Sequence, residues 1–220
     1  MKRRPAVAAA WGVAIGVACR VLAMLSATSP LDADIATLAL LLFALPAATI
    51  RLRPLAAIVV GVVAGGVSTV LDPTALPLAM TFSLAVVAIA IALRQRVARG
   101  RGLAAAAAPF VAAAWVFWPF WLAPAIARVG GSAPAWSTQL HPIFALDAVD
   151  IDVPWTEQAH IYGNTPLGID LPVAMPPSIW PATLAHAGLA IAALGVVALR
   201  LRSARRQRQR RPAAPPPPTG

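Results

Sequence analysis

The residues best suited to chemistry lie in one proline-rich segment, 128–177, between two apolar runs. Among them, His141, His160 and Glu157 offer imidazole and carboxylate groups, which suit metals such as Zn, Cu, Fe or Ni. Their positions do not follow a spacing such as His-Glu-x-x-His, which places two ligands on one helix face. The favoured interpretation is therefore a polar face exposed to water, and a metal site formed by His141, His160 and Glu157 is the alternative.

The same segment predicts a ligand-binding surface. Two aromatic side chains, one carboxylate and one imidazole fall within a short stretch, so a single turn or short helix would bring them together. A cation in the first apolar run and two tryptophans in the fifth would complete a pocket, although an aromatic belt at the membrane interface is the ordinary explanation for the tryptophans. The candidate ligand-binding residues are Arg20, Trp115, Trp118, Trp155, Glu157, His160 and Tyr162.

Arg20 lies inside the first apolar run, about two turns from its end. A charge at this depth costs at least about 2.5–3.5 kcal/mol unless it pairs or reaches water. Asp34, at the start of the second run, is the nearest candidate partner, and Asp72 is the next. A structural ion pair or a position reaching the interface is favoured, and a binding or translocation site for an anion is the alternative.

The composition places these residues in a membrane protein. Hydrophobic residues make up 59% of the 220-residue chain, only 12% of residues are charged, and the mean hydropathy is +0.74. An average soluble domain has about 25% charged residues, so this composition argues against a soluble protein. The single cysteine, Cys19, cannot form an intramolecular disulfide or a cysteine-based metal motif.

Six apolar runs approach the ~20 residues that a helix needs to cross a bilayer. The runs do not alternate between polar and apolar residues, so helices are expected rather than barrel strands. The predicted fold class is an all-α integral membrane protein with six transmembrane helices, both termini inside and one external loop at 128–177. The predicted helices are 5–28, 34–50, 54–71, 76–93, 103–127 and 178–199.

Small residues predict where these helices approach each other. Gly12 and Gly16 share a face of the first run, and Gly61 and Gly65 share a face of the third. Such spacing allows backbones to approach closely in lipid. The first run is interpreted as a retained helix because Arg20 interrupts it, and a cleaved signal peptide is the alternative.

The distribution of charge predicts the orientation. All 8 acidic residues fall on one side of the predicted helices, and all 18 Lys and Arg residues except Arg20 and Arg128 fall on the other. Basic residues in short loops stay on the cytoplasmic side. The chain is therefore predicted to lie in a bacterial-type inner membrane, with both termini cytoplasmic and the 128–177 loop external.

The predicted domain organisation is a polytopic membrane domain, 1–204, followed by a basic and proline-rich tail, 205–220. The tail is too polar to bury apolar surface and is predicted to be disordered. The net charge of +10 is spread over helix ends instead of forming one folded patch. Anionic headgroups of the inner leaflet are therefore the expected partner, and nucleic acid is not.

Two classes of function stay open. Only Arg20 and His186 are ionisable side chains well inside the predicted helices, whereas proton and ion pathways need chains of such groups. This scarcity favours a non-enzymatic accessory or assembly subunit, with other membrane protein subunits as partners. The alternative is a small-solute uptake component with an outward-facing pocket capped by the 128–177 loop. A membrane enzyme or metal-binding protein that uses this loop is less favoured.

Overall fold

The computed structural model describes residues 4–27, 30–69, 73–96, 101–130, 132–147 and 176–210. Within these ranges, all regular secondary structure is helical. The described helices are α1 (Arg4–Ser26), α2 (Pro30–Thr49), α3 (Pro54–Ser68), α4 (Leu76–Arg96), α5 (Arg101–Val129), α6 (Ala133–Gln139), α7 (Pro142–Asp147) and α8 (Trp180–Arg210).

Proline explains where most of these helices begin. Every helix named above except α5 has a proline as its first or second residue. The missing N–H of proline costs nothing in the first turn, where backbone donors have no partner within the helix, and its fixed φ suits the helix. At α3, Arg53 is extended, with φ −66° and ψ 148°, and the helix begins at the next residue, Pro54.

Four of the described helices are long and apolar enough to cross a membrane. Their apolar spans are Pro5–Ser26, Asp32–Thr49, Leu76–Gln95 and Trp180–Ala204. α3 has 15 residues and is therefore about 22 Å long, short of the roughly 30 Å hydrocarbon core. In α5 the apolar stretch is Ala107–Val116. All six predicted segments are helical, and spanning length and composition are confirmed for four of them.

Four helix boundaries differ from the sequence prediction by three residues or more, and one of them is the end of α4, at Arg96 instead of 93. α2 begins at Pro30 instead of 34, because the proline starts the helix. α3 ends at Ser68 instead of 71. α8 continues to Arg210 instead of ending at 199, so residues 205–210 of the predicted disordered tail are helical. Arginine and glutamine favour helices, which explains the extension, and residues 211–220 lie outside the described residues.

α4 lies at the centre of the bundle, where it packs against α2, α3, α5 and α8, and α1 packs against α2 and α3. The glycine positions match the prediction of close contact. A Cβ atom at Gly16 would lie 2.5 Å from the carbonyl oxygen of Ala64, and one at Gly65 would lie 2.5 Å from that of Ala79. Only glycine leaves room for α1, α3 and α4 to approach this closely.

Arginine side chains hold several helix ends together at one end of the bundle. Nη1 of Arg94 in α4 donates to the carbonyl oxygens of Ile50 at 2.8 Å and Leu52 at 2.6 Å, both in the α2–α3 turn. Nη1 of Arg200 in α8 donates to the carbonyl oxygen of Gln95 at 3.4 Å. The α2–α3 turn, the C-terminal end of α4 and the part of α8 around Arg200 therefore lie side by side. We call this the basic end of the bundle.

Candidate functional site

Arg20 and Asp34 form an ion pair between α1 and α2, which confirms the partner predicted for Arg20. Nη1 of Arg20 donates to Oδ1 of Asp34 and, at 3.5 Å, to Oγ1 of Thr37. Thr37 donates its own proton to the carbonyl oxygen of Ala33 at 2.6 Å, so its oxygen accepts from Arg20. The two charged side chains are only 11% and 10% exposed. A charge pair largely removed from water therefore joins α1 to α2.

The cluster around Arg20 leaves one donor unsatisfied. Nε of Arg20 is buried and has no hydrogen-bond partner among the described residues. Removing two charges from water is costly, and their attraction offsets that cost only when the geometry and the remaining hydrogen bonds are good. The pair is therefore better described as a constraint on how α1 and α2 meet than as a large net source of stability.

His186 joins α8 to α5 and packs on α4. Its Nε2 accepts a hydrogen bond from Nε1 of Trp115 at 3.1 Å, and its Nδ1 lies 2.7 Å from the carbonyl oxygen of Ala182. Because the indole N–H can only donate, the proton of this histidine lies on Nδ1 and the ring is neutral. The ring of Phe82 lies 5.5 Å from it, centroid to centroid. The polar edge of Trp115, a predicted ligand-binding residue, is thus bonded within the bundle.

His141, a predicted metal ligand, is buried between α6 and α7 and against α5. Its Nε2 lies 2.7 Å from the carbonyl oxygen of Val116, and its Nδ1 accepts from the N–H of Ile143 at 3.3 Å. Nε2 therefore carries the proton, and the ring is neutral. Burial lowers the pKa of His141 to about 3. Binding a metal through a ring nitrogen of His141 would require breaking one of these hydrogen bonds.

The other two members of the predicted metal set, His160 and Glu157, lie outside the described residues. Within the described part of the chain, no group of three or more His, Cys, Asp or Glu side chains is placed to hold a metal ion. The metal site stays a prediction, and His141 contributes to it only if its present hydrogen bonds are exchanged.

α7 fills the end of the bundle opposite the basic end. Its residues 143–146 are buried, and α7 packs against α2 and α8. The ring of Phe144 lies 5.1 Å from that of His141, centroid to centroid. Beside α7 lies a cavity of about 80 Å³ with an apolar lining from α2, α4, α5 and α7. Ligand pockets usually measure about 300–1,000 Å³, so this cavity is too small for a typical solute.

The predicted ligand-binding residues that the structure describes bond to different helices. Arg20 bonds to α2, whereas Trp115 bonds to α8. Trp118 lies in α5, and its side chain is outside the described part of the structure. The ligand surface proposed from these residues stays a prediction. Its remaining members also lie outside the described residues, namely Trp155, Glu157, His160 and Tyr162.

A groove at the basic end has no counterpart among the sequence predictions. It lies between residues 5–11 of α1 and residues 51–59 of the α2–α3 turn and α3, and it has a volume of about 660 Å³. Its lining is apolar except for Arg51 and Arg53. Both arginines were visible in the sequence as part of a basic turn, but the groove exists because α1 packs against α3, its second neighbour along the chain.

The chain matches no protein-family model, and no curated protein or solved structure matches it either. What is established is an arrangement of helices in which four have the length and composition of membrane spans. Any narrower function has to come from the side chains described above.

Proposed function

We propose that this chain is a non-enzymatic accessory or assembly subunit of a larger complex in a bacterial-type inner membrane. The observation that carries the proposal is how the buried polar side chains are used. Arg20 pairs with Asp34 across α1 and α2. Trp115 bonds to His186 across α5 and α8, and His141 bonds to the backbone of α5. Polar groups engaged in joining helices are poorly placed to form the continuous relay that an ion or proton pathway needs.

The proposed topology has six crossings, cytoplasmic termini and an external segment 128–177. Two features support it. The arginines of the α2–α3 turn, α4 and α8 lie at one end of the bundle, and basic residues in short loops stay on the cytoplasmic side. α3 is short, but it lies between α1 and α4. Neighbouring helices and local thinning of the bilayer accommodate such a mismatch at modest cost.

The partner in this proposal packs against α8. Leu184 and Ile191 are 68% and 71% exposed on one face of α8. Gly188 and Gly195 lie on the same face, and within the described part of the chain no atom beyond their own stretch of α8 lies within 4 Å of the position that a Cβ would take. At Gly16, by contrast, a Cβ atom would lie 2.5 Å from the carbonyl oxygen of Ala64. Small residues are typical of contacts between membrane helices, so this face suits a transmembrane helix of another protein.

The charge at the end of α8 indicates the kind of partner. α8 continues to Arg210, and its residues Arg202 and Arg206 are exposed. A second copy with its α8 alongside in parallel would bring like charges together, which is unfavourable. A membrane protein with an acidic segment on the cytoplasmic side is complementary to this end. We therefore favour such a heterologous partner over a dimer of this chain.

Site-specific photo-crosslinking in the native membrane tests this proposal. A photoreactive amino acid at Leu184 or Ile191 should give one protein adduct of constant mass. The same amino acid at Val13 or Val17, which are exposed on α1, provides the matched control and should give no adduct with that protein. Glutamate at Arg202 and Arg206 should reduce the yield from Ile191. The accessory role would be wrong if no α8 position gives a protein adduct while the chain migrates as a monomer in a mild detergent extract.

Small-solute uptake is the alternative, and it makes a different prediction. It requires a pocket that combines the outer ends of α1 and α5 with residues 155–162. A small molecule should then remain bound through purification, and mass spectrometry should detect its loss when Trp155 or His160 is changed to alanine. The accessory proposal predicts that these two variants retain the partner adduct and lose no small molecule.

A further inference from the structure

The groove at the basic end is bounded by two helices and the turn that precedes one of them. Val7 and Trp11 line it from α1, and Leu55 and Val59 line it from α3. Trp11 is 61% exposed and Leu55 is 75% exposed, so the groove opens on the outer surface of the bundle. Its volume of about 660 Å³ lies within the range of sites that bind small organic ligands.

Two of the side chains that line the groove are positively charged. Arg51 and Arg53 line it and are exposed, and neither forms an ion pair with another described residue. Arg94 plays a different role in the same region, because its guanidinium holds the carbonyl oxygens of Ile50 and Leu52. The turn is therefore fixed by Arg94, while the guanidinium groups of Arg51 and Arg53 are available to a ligand.

We infer that this groove binds one anionic phospholipid, with its phosphate between Arg51 and Arg53 and an acyl chain along Val7, Trp11 and Leu55. Arginine forms strong, charge-assisted hydrogen bonds to phosphate oxygens. Basic pockets between membrane helices on the cytoplasmic side bind anionic headgroups, and tryptophan favours the interface between headgroups and hydrocarbon. The inference requires a membrane environment, but it does not depend on the accessory role.

A phospholipid fits these features better than a helix from a partner protein. A helix would cover the apolar walls, but it would bring an anion to the two arginines only if one of its own acidic residues lay at their level. A phospholipid supplies an anion and an acyl chain in one molecule, and the lining of the groove combines two arginines with apolar side chains of α1 and α3. The charge and the shape of the groove therefore select the same ligand.

Native mass spectrometry of the purified full-length chain tests the inference. Dioleoyl phosphatidylglycerol and dioleoyl phosphatidylcholine are added separately, since they share acyl chains and differ in net headgroup charge. We expect one phosphatidylglycerol to be retained with a preference of roughly 30-fold, as two arginines close to one anionic headgroup would provide. The double variant Arg51→Gln/Arg53→Gln should lose this preference. Equal retention of the two lipids by the unaltered protein would overturn the inference.

Two further variants separate a site from a general effect of charge. Arg202→Gln/Arg206→Gln removes the same number of charges from exposed positions on α8 and should keep the preference. Equal losses in the two double variants would overturn the inference, because net charge alone would then explain binding. Ala56→Trp places an indole in the groove, which Ala56 lines, and should reduce retention of both lipids. If that variant does not fold, the comparison of the two arginine pairs still decides the outcome.

Discussion

Arg20 lies in α1, a helix with many apolar side chains exposed on the surface of the bundle. Val13, Val17 and Val21 of α1 are each more than two-fifths exposed, so α1 faces lipid over much of its length in the proposed topology. An unpaired arginine in this helix would be costly. Its pairing with Asp34 gives α1 a specific neighbour, α2, that apolar contacts alone would not select. The hydrogen bond from Arg20 to Thr37 adds a second contact to the same helix.

Removal of one partner of this ion pair should damage the protein more than removal of both. Arg20→Leu leaves the carboxylate of Asp34 without its cation in a buried position and should destabilise the fold by about 3–5 kcal/mol. Arg20→Leu/Asp34→Leu should recover most of this loss, since well-packed apolar residues often replace a buried pair at little cost. Thermal unfolding in detergent and the amount of protein in the membrane report both effects. Arg128→Leu, at an exposed position, is the control. A loss in the double variant equal to the sum of the losses in Arg20→Leu and Asp34→Leu would argue against coupling.

His141 should make the fold sensitive to acid. Burial lowers its pKa to about 3, whereas a histidine in an unfolded chain titrates near 6.5. The unfolded state therefore binds more protons below pH 6.5, so the contribution of His141 is complete above pH 6.5 and is lost as the pH falls towards 3. Between pH 7.5 and pH 5 the loss should be about 2 kcal/mol.

The variant His141→Gln isolates this effect. Its side-chain amide can still donate to the carbonyl oxygen of Val116, but it does not titrate. Apparent melting temperatures measured from pH 7.5 to pH 5 should fall more steeply for the unaltered protein than for the variant. Parallel slopes would mean that His141 is accessible to protons in the folded state, and the structural role of its neutral ring would have to be abandoned.

At the scale of whole helices, local signals in the sequence predict more than pairwise contacts do. The apolar runs and the prolines locate all six long helices, and the spacing of Gly12 and Gly16 identifies a contact face on α1. The pairing of Arg20 with Asp34 could also be predicted, because few ionisable groups compete in an apolar segment. The helices and the contact face can be predicted from residues close together in the sequence. The ion pair can be predicted because ionisable residues are few.

The features that escaped prediction depend on how distant segments pack. Apolar residues that recur in the 128–177 segment, such as Ile143 and Phe144, indicate packing on the helix ends, and residues 143–146 are buried in the bundle. Nothing in the sequence indicates that His141 bonds to the backbone of α5. The sequence predicts Arg94 as one of the basic residues that flank a helix on the cytoplasmic side. In the structure its guanidinium donates hydrogen bonds to two backbone carbonyl oxygens of the α2–α3 turn. Every residue has a backbone carbonyl, so the sequence does not show which carbonyl will accept a hydrogen bond from Arg94. The groove of Arg51 and Arg53 likewise requires knowing that α1 lies against α3.

The glycines of α1 and α8 provide a test of which helix surfaces are already covered. Alanine at Gly16 would place a Cβ atom 2.5 Å from the carbonyl oxygen of Ala64 and should separate α1 from α3 at a cost of about 1–3 kcal/mol. Alanine at Gly195 meets no described atom within 4 Å outside its own stretch of α8. It should therefore leave stability unchanged or raise it by up to about 1 kcal/mol through helix propensity. Thermal unfolding of the isolated chain in detergent gives the comparison. Similar losses in the two variants would contradict the described α1–α3 contact.

The molecule as a whole has two chemically different ends. At the basic end, the α2–α3 turn, α4 and α8 present arginines, and α8 continues beyond the length needed to cross a bilayer. At the opposite end, α7 packs among the helices and leaves a cavity of only about 80 Å³. The proposed contacts with a lipid headgroup and with a partner therefore lie at the basic end and along α8, while the described part of the other end is filled by the chain itself.

The proposed orientation depends most on α3, because this helix has only 15 residues. If α3 crosses the membrane, Arg53 and Thr74 lie on opposite sides. Reporter fusions after Arg53, Arg99 and Arg206 should then read cytoplasmic, and fusions after Thr74 and near Asp150 should read external. A cytoplasmic reading near Asp150 would contradict the model of six crossings.

Labelling of the full-length chain gives a more stringent result than truncated fusions, because a short helix such as α3 can need α1 and α4 beside it in order to insert. Cys19 is the single native cysteine and is buried, so Cys19→Ala provides a background in which single cysteines are introduced at Arg53 or Thr74. A membrane-impermeant maleimide added to intact cells should label position 74 and should label position 53 only after lysis. Labelling of both positions, or of neither, before lysis would place the two ends of α3 on the same side. α3 would then be a re-entrant helix held between α1 and α4, and the number of crossings would have to be reduced.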